Sequence, residues 1–228
     1  REHHVSFVDV VPTLLRGIMD YAEQQQQNLH TLRHILVGSE AWYGQDLKRL
    51  QRIISADCRC FNIYGQTESV IDATCCDVTE LHLADDKIVP IGRPLALTEI
   101  AVLNTSGQAS PIGTVGELAV GGPGLARGYR NLPALTKQKF FYNNQQRRMY
   151  FTGDQAILQS DGSLLFLGRI DGQVKIRGYR IELAEVESQL QTLQDVTGAV
   201  VIVHTPKQTE QKILVAYLET TKPRSNDF

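Results

Sequence analysis

The first 63 residues alternate strand-like and helix-like segments, and this alternation limits the fold more than any other feature of the sequence. Apolar runs at Val5–Val11, Ile35–Val37 and Cys58–Ile63 predict three β-strands. Between them, residues 14–22 and 41–54 repeat apolar side chains at helical spacing. A βαβαβ order predicts a parallel sheet, whose ligands collect where the carboxyl ends of the strands meet the loops.

Two polar segments lie at the predicted carboxyl ends of neighbouring strands. Gly38-Ser39-Glu40 follows the second strand, and Tyr64–Glu68 follows the third. Parallel strands end at one edge of a sheet, so we expect these two segments to border one ligand site.

The character of the sequence changes after Pro90, where short strands separated by turn residues predict a small β-barrel-like subdomain. From Gly172 onward a β-α-β-β order is typical of a second, smaller α+β lobe. We therefore predict a mixed α/β and α+β chain. Its first domain covers residues 1–170, and an incomplete mobile lobe covers residues 171–228.

The segment Gly168–Glu187 combines a turn, a short strand and a helix. Apolar and polar residues alternate over Gln173–Ile176, which predicts a strand that ends at Gly178. Apolar positions from Ile181 to Leu190 predict an amphipathic helix. A basic cluster lies beside them: Arg169, Lys175, Arg177 and Arg180. Taken alone, such a charge run is more typical of a solvated surface than of an anion site.

The composition is that of a globular chain, with 228 residues, 42% hydrophobic and 21% charged. A net charge of −2 provides no field that attracts nucleic acid or an anionic membrane, so we predict neither as a partner. No apolar run approaches the ~20 residues of a membrane span, and the N-terminal residues lack a signal-peptide layout. These features predict a cytoplasmic protein.

The cysteines occur as two close pairs, Cys58 with Cys60 and Cys75 with Cys76. Their spacing does not match the C-x₂-C pattern of zinc sites. We therefore predict reduced cysteines that belong to the core of a cytosolic protein.

Three further motifs precede Gly168–Glu187 in a fixed order: NIYGQTE at 62–68, GELAVGGPGLARGY at 116–129 and YFTGD at 150–154. The four motifs closely resemble those of adenylation domains of nonribosomal peptide synthetases, within the adenylate-forming superfamily of acyl-CoA synthetases and luciferases. The resemblance spans practically the whole chain, which is identified as an internal fragment of such a domain.

The resemblance implies an ATP-dependent ligase of secondary metabolism, with ATP and Mg²⁺ as cofactors. It implies that Asn62 and Tyr64 form the adenine pocket, that Thr67 contacts the α-phosphate and that Glu68 binds the magnesium ion. These residue types suit those tasks, since a hydroxyl donates to phosphoryl oxygens and a carboxylate is a hard oxygen ligand. An isolated YGxTE sequence is more often a surface turn followed by a helix cap.

The remaining nucleotide-side residues come from other parts of the chain. By resemblance, Asp154 accepts hydrogen bonds from both ribose hydroxyls, Phe166 lines the pocket, and Arg169 contacts the ribose or a phosphate. Gly38 and Ser39 border the same pocket. The segment from Gly116 to Tyr129 has a mainly structural role, in which glycines permit tight turns.

Two positions depart from the family motifs. Gln66 replaces the usual proline, which we expect to loosen the turn slightly without removing a chemical role. Phe151 stands where arginine or lysine is frequent and leaves Asp154 in place. The phosphate loop, the aspartate that holds the substrate α-amine and the catalytic lysine belong to family segments outside this chain. We therefore expect that the chain alone does not complete adenylation.

Asp171 matches the hinge between the large and small lobes of the family. Such enzymes use one lobe orientation for adenylation and another for thioester formation. The resemblance implies that the strand Lys175–Gly178 approaches the site in the second orientation and helps to admit a phosphopantetheine thiol. The implied partners are a peptidyl carrier domain and the rest of the same synthetase.

The acyl substrate pocket is also assigned by resemblance. Its predicted lining consists of Asp9, Leu36, Gly38, Ile63, Ile71 and Asp72. The apolar members favour a bulky hydrophobic or aromatic side chain on the amino acid or related carboxylic acid. The two aspartates instead suit a hydroxyl or a cation.

Two alternatives remain open from the sequence. An acyl- or aryl-CoA ligase of the same superfamily would release its product to coenzyme A, although the GLARGY and QVKIRGYRIEL motifs favour the peptide synthetase branch. A non-catalytic binding domain with the same fold is the other alternative. The joint presence of Tyr64, Thr67, Glu68, Asp154 and Arg169 argues against it.

Overall fold

The computed structural model describes residues 4–206 and 212–221, and the chain divides into two compact units, 1–171 and 172–228. The first unit contains β1 (Phe7–Val10), α1 (Pro12–Gln24), β2 (His34–Gly38), α2 (Gly44–Ile53), β3 (Arg59–Tyr64), β4 (Thr74–Asp77), β5 (Arg93–Pro94), β6 (Glu99–Leu103), β7 (Val115–Gly121), α3 (Pro133–Lys139), β8 (Phe140–Tyr142), β9 (Arg148–Leu158) and β10 (Leu164–Arg169). The second contains β11 (Val174–Ile176), β12 (Tyr179–Ile181), α4 (Leu183–Gln191), β13 (Val196–His204) and β14 (Ile213–Thr220).

The first sheet has the strand order β1-β2-β3-β4-β5. Strands β1, β2 and β3 are parallel, which confirms the prediction from the βαβαβ pattern. Strands β4 and β5 extend the sheet in antiparallel fashion. Gly38 is the register partner of Ile63, so the carboxyl ends of β2 and β3 lie side by side.

One core joins this sheet to helices α1 and α2. Val37 of β2 is almost fully buried in it, and so are Met19, Leu47 and Leu50, whose burial the two helical stripes predict. Cys58 and Cys60 belong to the same core, and burial raises the pKa of Cys60 to about 12. All four cysteines are unpaired thiols. Cys75 and Cys76 are half-buried on β4.

Helix α2 begins at Gly44 and not at Ala41, so the predicted start was wrong by three residues. The reason is that Trp42 and Tyr43 form an extended segment beside residues 88–89. The Trp42 carbonyl accepts a hydrogen bond from the Val89 N–H (3.0 Å), and Tyr43 bridges Ile88. The buried Trp42 indole anchors this segment in the core.

The second sheet lies in the region predicted to be barrel-like and is antiparallel, with the order β10-β9-β7-β6 and with β8 beside β9. A bridge between Gly92 and Leu164 connects it to the strand segment that ends the first sheet. Tyr64, the last residue of β3, packs with Ile91, Leu118 and Leu164 in the core of this second sheet. The carboxyl end of β3 is therefore held between the two sheets.

The second unit contains a hairpin of β11 and β12, helix α4 and an antiparallel pair of β13 and β14. Ile181 pairs with Val174 in the hairpin, so its predicted place in the helix was wrong. Arg177 and Gly178 both have positive φ (53° and 80°), and two such residues form the tight turn that lets the chain reverse. The apolar spacing continues from Ile181 into α4, so the helical pattern did not reveal that Ile181 belongs to strand β12.

None of the helices in the described residues is long and apolar enough to cross a membrane. The second unit begins at Gly172, and its role as a mobile lobe with Asp171 as the hinge stays a prediction.

Candidate functional site

A chain of hydrogen bonds joins three of the predicted site residues, which come from three different motifs. The Tyr64 hydroxyl donates to Oδ2 of Asp154 at 2.5 Å, and Arg169 Nη1 donates to Oδ1 at 2.8 Å. Asp154 and Arg169 are register partners on β9 and β10, so the sheet itself sets their distance. Only 4% of Asp154 is exposed. A buried carboxylate is thus held by a partner on each oxygen.

The charges in this group are fixed by their surroundings. Burial raises the pKa of Tyr64, and Asp154 raises it further, while Thr152 and the Gln66 amide lower it in part. Tyr64 is therefore a neutral donor at physiological pH. Burial lowers the pKa of Arg169, but the charges of Asp154 and Asp171 outweigh this effect, so its pKa is raised. Arg169 keeps its positive charge.

Phe166 lies beside Tyr64, with ring centroids 6.3 Å apart and planes tilted by 39°. Tyr64 is 7% exposed, and Phe166 packs against the same core at a partly buried position. Strands β3 and β10 therefore bring these two predicted pocket residues together. Their contact with an adenine ring stays a prediction.

The loop after β3 folds back tightly on its own strand. A Cβ atom on Gly65 would lie 2.0 Å from the Ile71 carbonyl oxygen, so only glycine fits at this position. The loop continues through a short 3₁₀ turn, Thr67–Ser69. Thr67 is exposed, whereas Glu68 is buried with 9% exposure. The two predicted phosphate-side residues are adjacent in the loop and differ in their solvent contact.

Glu68 is held by the segment 116–129, for which the motif predicts a mainly structural role. The Tyr129 hydroxyl donates to Oε1 of Glu68 at 2.7 Å, and the Ala126 N–H donates to the Glu68 carbonyl at 2.8 Å. Burial raises the pKa of Tyr129, and Tyr150 and Glu68 raise it further, so Tyr129 remains a donor. Tyr129 is a site residue that the glycine-rich motif did not reveal as such.

The carboxylate of Glu68 is chemically suited to Mg²⁺. Within residues 4–206 and 212–221, no three His, Cys, Asp or Glu residues are grouped as metal ligands. Mg²⁺ is commonly held by one or two carboxylates together with water and substrate phosphates. A single glutamate in this loop therefore fits a magnesium ion that arrives with a nucleotide.

Asn62 has a clear structural contact. It is 3% exposed, and its Nδ2 donates to the carbonyl oxygens of Val89 (3.2 Å) and Pro90 (2.7 Å). These bonds hold residues 89–90, where the chain passes toward the second sheet, against strand β3. The predicted contact of Asn62 with adenine remains a prediction.

The carboxyl end of β2 lies in close contact with β3. A Cβ on Gly38 would lie 2.6 Å from Cγ1 of Ile63, so the absence of a side chain makes room for Ile63. Ser39 is exposed and has a φ of 70°, and Glu40 accepts hydrogen bonds from the amide (3.2 Å) and hydroxyl (2.6 Å) of Thr13. This edge is therefore ordered by its own contacts.

The predicted acyl pocket residues lie on neighbouring strands and on the loop after β3. Leu36 is the register partner of Asp9, and Ile63 is buried at 8% exposure. Burial raises the pKa of Asp72, and the charge of Asp9 raises it further, so the two carboxylates act on each other. Ile71 is 70% exposed. Its place in a pocket wall stays a prediction.

Asp171, the predicted hinge, is the last residue of the first unit, and basic side chains of that unit hold its carboxylate. Arg169 donates to it through Nε (2.9 Å) and Nη2 (2.6 Å), and Lys139 Nζ lies 3.8 Å away. Arg169 therefore links Asp171 to Asp154.

Comparisons with known proteins show which family the chain belongs to. The family model for AMP-binding enzymes matches residues 1–130. Tyrocidine synthase 3 from Brevibacillus parabrevis is 37% identical over 99% of this chain, which spans 4% of that protein's length. A solved protein with adenylation and PCP domains of a nonribosomal peptide synthetase, holo-PA1221, is 29% identical with a TM-score of 0.85, over 95% of this chain and 37% of its own.

A second solved structure is the Vibrio cholerae adenylation domain AlmE in complex with glycyl-adenosine-5′-phosphate. It is 27% identical with a TM-score of 0.81, over 97% of this chain and 43% of its own. These comparisons confirm the family and the fold that the motifs predict. The chain belongs to the AMP-binding enzyme family, as part of an adenylation domain of the kind found in nonribosomal peptide synthetases.

Proposed function

We propose that the protein uses ATP to activate an amino acid or a related carboxylic acid as its acyl adenylate. A carboxylate oxygen of the acid attacks the α-phosphorus, the bond to the β-phosphate breaks, and pyrophosphate leaves. The observation that carries the proposal is the buried Asp154, held by Tyr64 and Arg169 where three separate motifs meet. A fixed carboxylate of this kind suits two ribose hydroxyls.

Each residue then has one task. Asp154 accepts the ribose hydroxyls, Arg169 holds Asp154 and provides positive charge, and Thr67 donates to the α-phosphate. Glu68 holds a magnesium ion, which supplies charge neutralisation at the phosphates. The adenine pocket and its border are formed by Asn62, Tyr64, Phe166, Gly38 and Ser39. Positioning and charge stabilisation are the main catalytic contributions that such a transfer requires.

The acyl group lies toward the carboxyl ends of β1 to β3. We expect Asp9, Leu36, Gly38, Ile63, Ile71 and Asp72 to surround its side chain. The apolar members favour a bulky hydrophobic group.

The activated acyl group passes to the phosphopantetheine thiol of a carrier domain, with Asp171 as the hinge for the lobe that begins after it. The similarity to PA1221, which contains both adenylation and PCP domains, supports this partner. A net charge of −2 supports the absence of a nucleic acid partner. The reaction belongs in the cytoplasm, where ATP is supplied. The similarity to a peptide synthetase makes the CoA ligase alternative less favoured.

The test is ATP–pyrophosphate exchange by the full-length protein, screened over aromatic, aliphatic, basic and keto acids. We expect exchange with one class of acid, abolished in Asp154→Ala. If folded protein binds ATP but exchanges with no acid, the alternative of a non-catalytic binding domain replaces this proposal.

A further inference from the structure

Residues 125–129 hold Glu68 although they have no regular secondary structure. They lie between β7 and α3. The Ala126 N–H donates to the Glu68 carbonyl at 2.8 Å, and the Tyr129 hydroxyl donates to Glu68 Oε1 at 2.7 Å. A segment outside any sheet or helix needs other partners for its own backbone groups if it is to stay in place.

Arg148 supplies such partners from strand β9. Its Nη1 donates to the Ala126 carbonyl at 2.6 Å, and its Nη2 donates to the Arg127 carbonyl at 2.8 Å. Two nitrogens of one planar guanidinium thus hold two consecutive carbonyl oxygens, a fork geometry that lysine does not have. Ala126 is therefore held on both sides, by Glu68 at its N–H and by Arg148 at its carbonyl.

The Phe140 ring provides a second link between Arg148 and Tyr129. The guanidinium carbon of Arg148 lies 4.3 Å from the ring centroid of Phe140, in a cation–π contact. The Tyr129 ring meets Phe140 edge to face, with centroids 5.8 Å apart, and the Tyr150 ring lies 4.9 Å from Phe140. Phe140 and Tyr150 are both buried, so close packing leaves this cluster little freedom. Arg148 therefore supports Tyr129 through the backbone before it and through its ring.

We infer that Arg148 is a positioning residue for magnesium binding: it fixes residues 126–129, which in turn hold the Glu68 carboxylate in place for the ion. The inference rests on the proposed function, which assigns Mg²⁺ to Glu68. Groups that hold a metal-binding carboxylate by hydrogen bonds typically change metal affinity about 10- to 100-fold when they are replaced. Arg148 acts one contact further from the carboxylate, so we expect a smaller effect.

The experiment measures the binding of two ligands to the full-length protein by calorimetry: ATP with Mg²⁺, and AMP in EDTA. AMP in EDTA uses the nucleoside side of the site without a magnesium ion. The variant Arg148→Met removes the guanidinium and keeps an unbranched side chain. We expect it to weaken the binding of ATP with Mg²⁺ about three- to tenfold, the worth of one hydrogen bond, and to leave AMP binding unchanged.

The matched control is Arg147→Met at the neighbouring residue. Arg147 Nη1 forms an exposed ion pair with Glu99 Oε1 at 2.8 Å. An exposed pair contributes little, and this one is not part of the contacts that hold Glu68. We expect the control to bind both ligands as the wild type does.

A double-mutant cycle with Tyr129→Phe tests the route from Arg148 to Glu68. Part of the effect of Arg148 passes through the Tyr129 hydroxyl, so Arg148→Met should weaken the binding of ATP with Mg²⁺ less in the Tyr129→Phe background than in wild type. If Arg148→Met does not fold, Arg148→Lys takes its place. Lysine keeps the charge and loses the planar fork, so we expect a smaller loss that is confined to the same ligand.

An equal loss of affinity for both ligands in the Arg148 variant would show a structural role alone and overturns the inference. An unchanged affinity for ATP with Mg²⁺, or full additivity with Tyr129→Phe, also overturns it. These outcomes leave the proposed function standing. A wild-type protein that binds neither ligand overturns both.

Discussion

The Tyr64 hydroxyl and the Asp154 carboxylate, 90 residues apart in the chain, are joined by a hydrogen bond of 2.5 Å. Tyr64 ends a strand of the first sheet, and Asp154 lies within a strand of the second. The bond therefore ties the two sheets together at the proposed nucleotide site, so changes at this point affect both stability and binding.

Replacement of Asp154 by alanine should destabilise the protein strongly. It leaves the buried Arg169 guanidinium, whose side chain is 13% exposed, without one of its carboxylate partners. Loss of one partner of a buried ion pair costs about 3–5 kcal/mol in the free energy of unfolding. The continued bond to Asp171 places the expected loss at the lower end. Urea denaturation of the two proteins measures it.

The matched control is Asp85→Ala, which breaks the exposed pair with Lys48 at 2.7 Å. We expect a loss of about 0–1 kcal/mol there. Equal losses in the two variants would show that the bonds of Asp154 do not stabilise the fold.

Tyr64 gives the protein a specific sensitivity to alkaline pH. Burial, followed by Asp154, raises the pKa of Tyr64 in the folded state. The unfolded chain releases the Tyr64 proton at a pH of about 10, while the folded protein retains it. The contribution of Tyr64 to the free energy of unfolding is therefore fully present below that pH and is lost as the pH rises above it. The contribution is about 1.4 kcal/mol per pH unit for one proton.

This prediction is tested by measuring the denaturation midpoints of wild type and Tyr64→Phe between about pH 8 and 11. That range spans the ordinary tyrosine pKa of about 10. The stability of the variant should decline less steeply. Parallel curves would mean that Tyr64 ionises as easily in the folded protein as in the unfolded chain.

Tyr129 should control the position of Glu68. Tyr129→Phe removes a hydrogen bond of 2.7 Å to the carboxylate, and a bond to a charged group contributes about 1.5–3 kcal/mol. We expect the Mg²⁺ concentration needed for half-maximal exchange to rise several-fold. Tyr142→Phe, at a residue that is 65% exposed, should leave it unchanged. If wild type, Tyr129→Phe and Tyr142→Phe all showed the same Mg²⁺ dependence, Tyr129 would have no role in magnesium binding.

Gly65 should tolerate no side chain. The added methyl group of Gly65→Ala would lie 2.0 Å from the Ile71 carbonyl oxygen, so the loop that carries Thr67 and Glu68 must move. Such overpacking costs about 1–3 kcal/mol, and we expect nucleotide binding to weaken as well.

Gly17→Ala in helix α1 is the control, since its added methyl group has no atom within 4 Å apart from its chain neighbours and the backbone of its own helix. It should stabilise the protein by about 0.5–1 kcal/mol. If Gly65→Ala left the melting temperature unchanged, the loop would be able to accommodate the added methyl group.

The local patterns of the sequence predicted the three parallel strands of the first sheet well, because β1, β2 and β3 are separated by helices with clear apolar stripes, but they did not predict the antiparallel β4 and β5. The same kind of signal was wrong at Ala41 and Ile181. Near both positions, strand-like pairing overrides the helical periodicity: the segment after Ala41 pairs near the distant Ile88, and Ile181 pairs with Val174 across a tight turn.

The candidate site divides in the same way. Motifs identified Asp154 and Arg169, which the strand register places side by side. They did not reveal the support of Glu68 by Tyr129 or the bonds from Arg148 to residues 126 and 127. Those features depend on contacts between segments that are separated in the sequence, and local patterns do not predict such contacts.

The most direct test of the central claim compares the binding of ATP and 2′,3′-dideoxy-ATP to the full-length protein. If Asp154 accepts the ribose hydroxyls, ATP binds at least about tenfold more tightly, since hydrogen bonds to a charged group are lost in the dideoxy compound. That difference should disappear in Asp154→Ala. Equal affinity of the wild-type protein for the two nucleotides would contradict the assignment of Asp154 and with it the proposed nucleotide site.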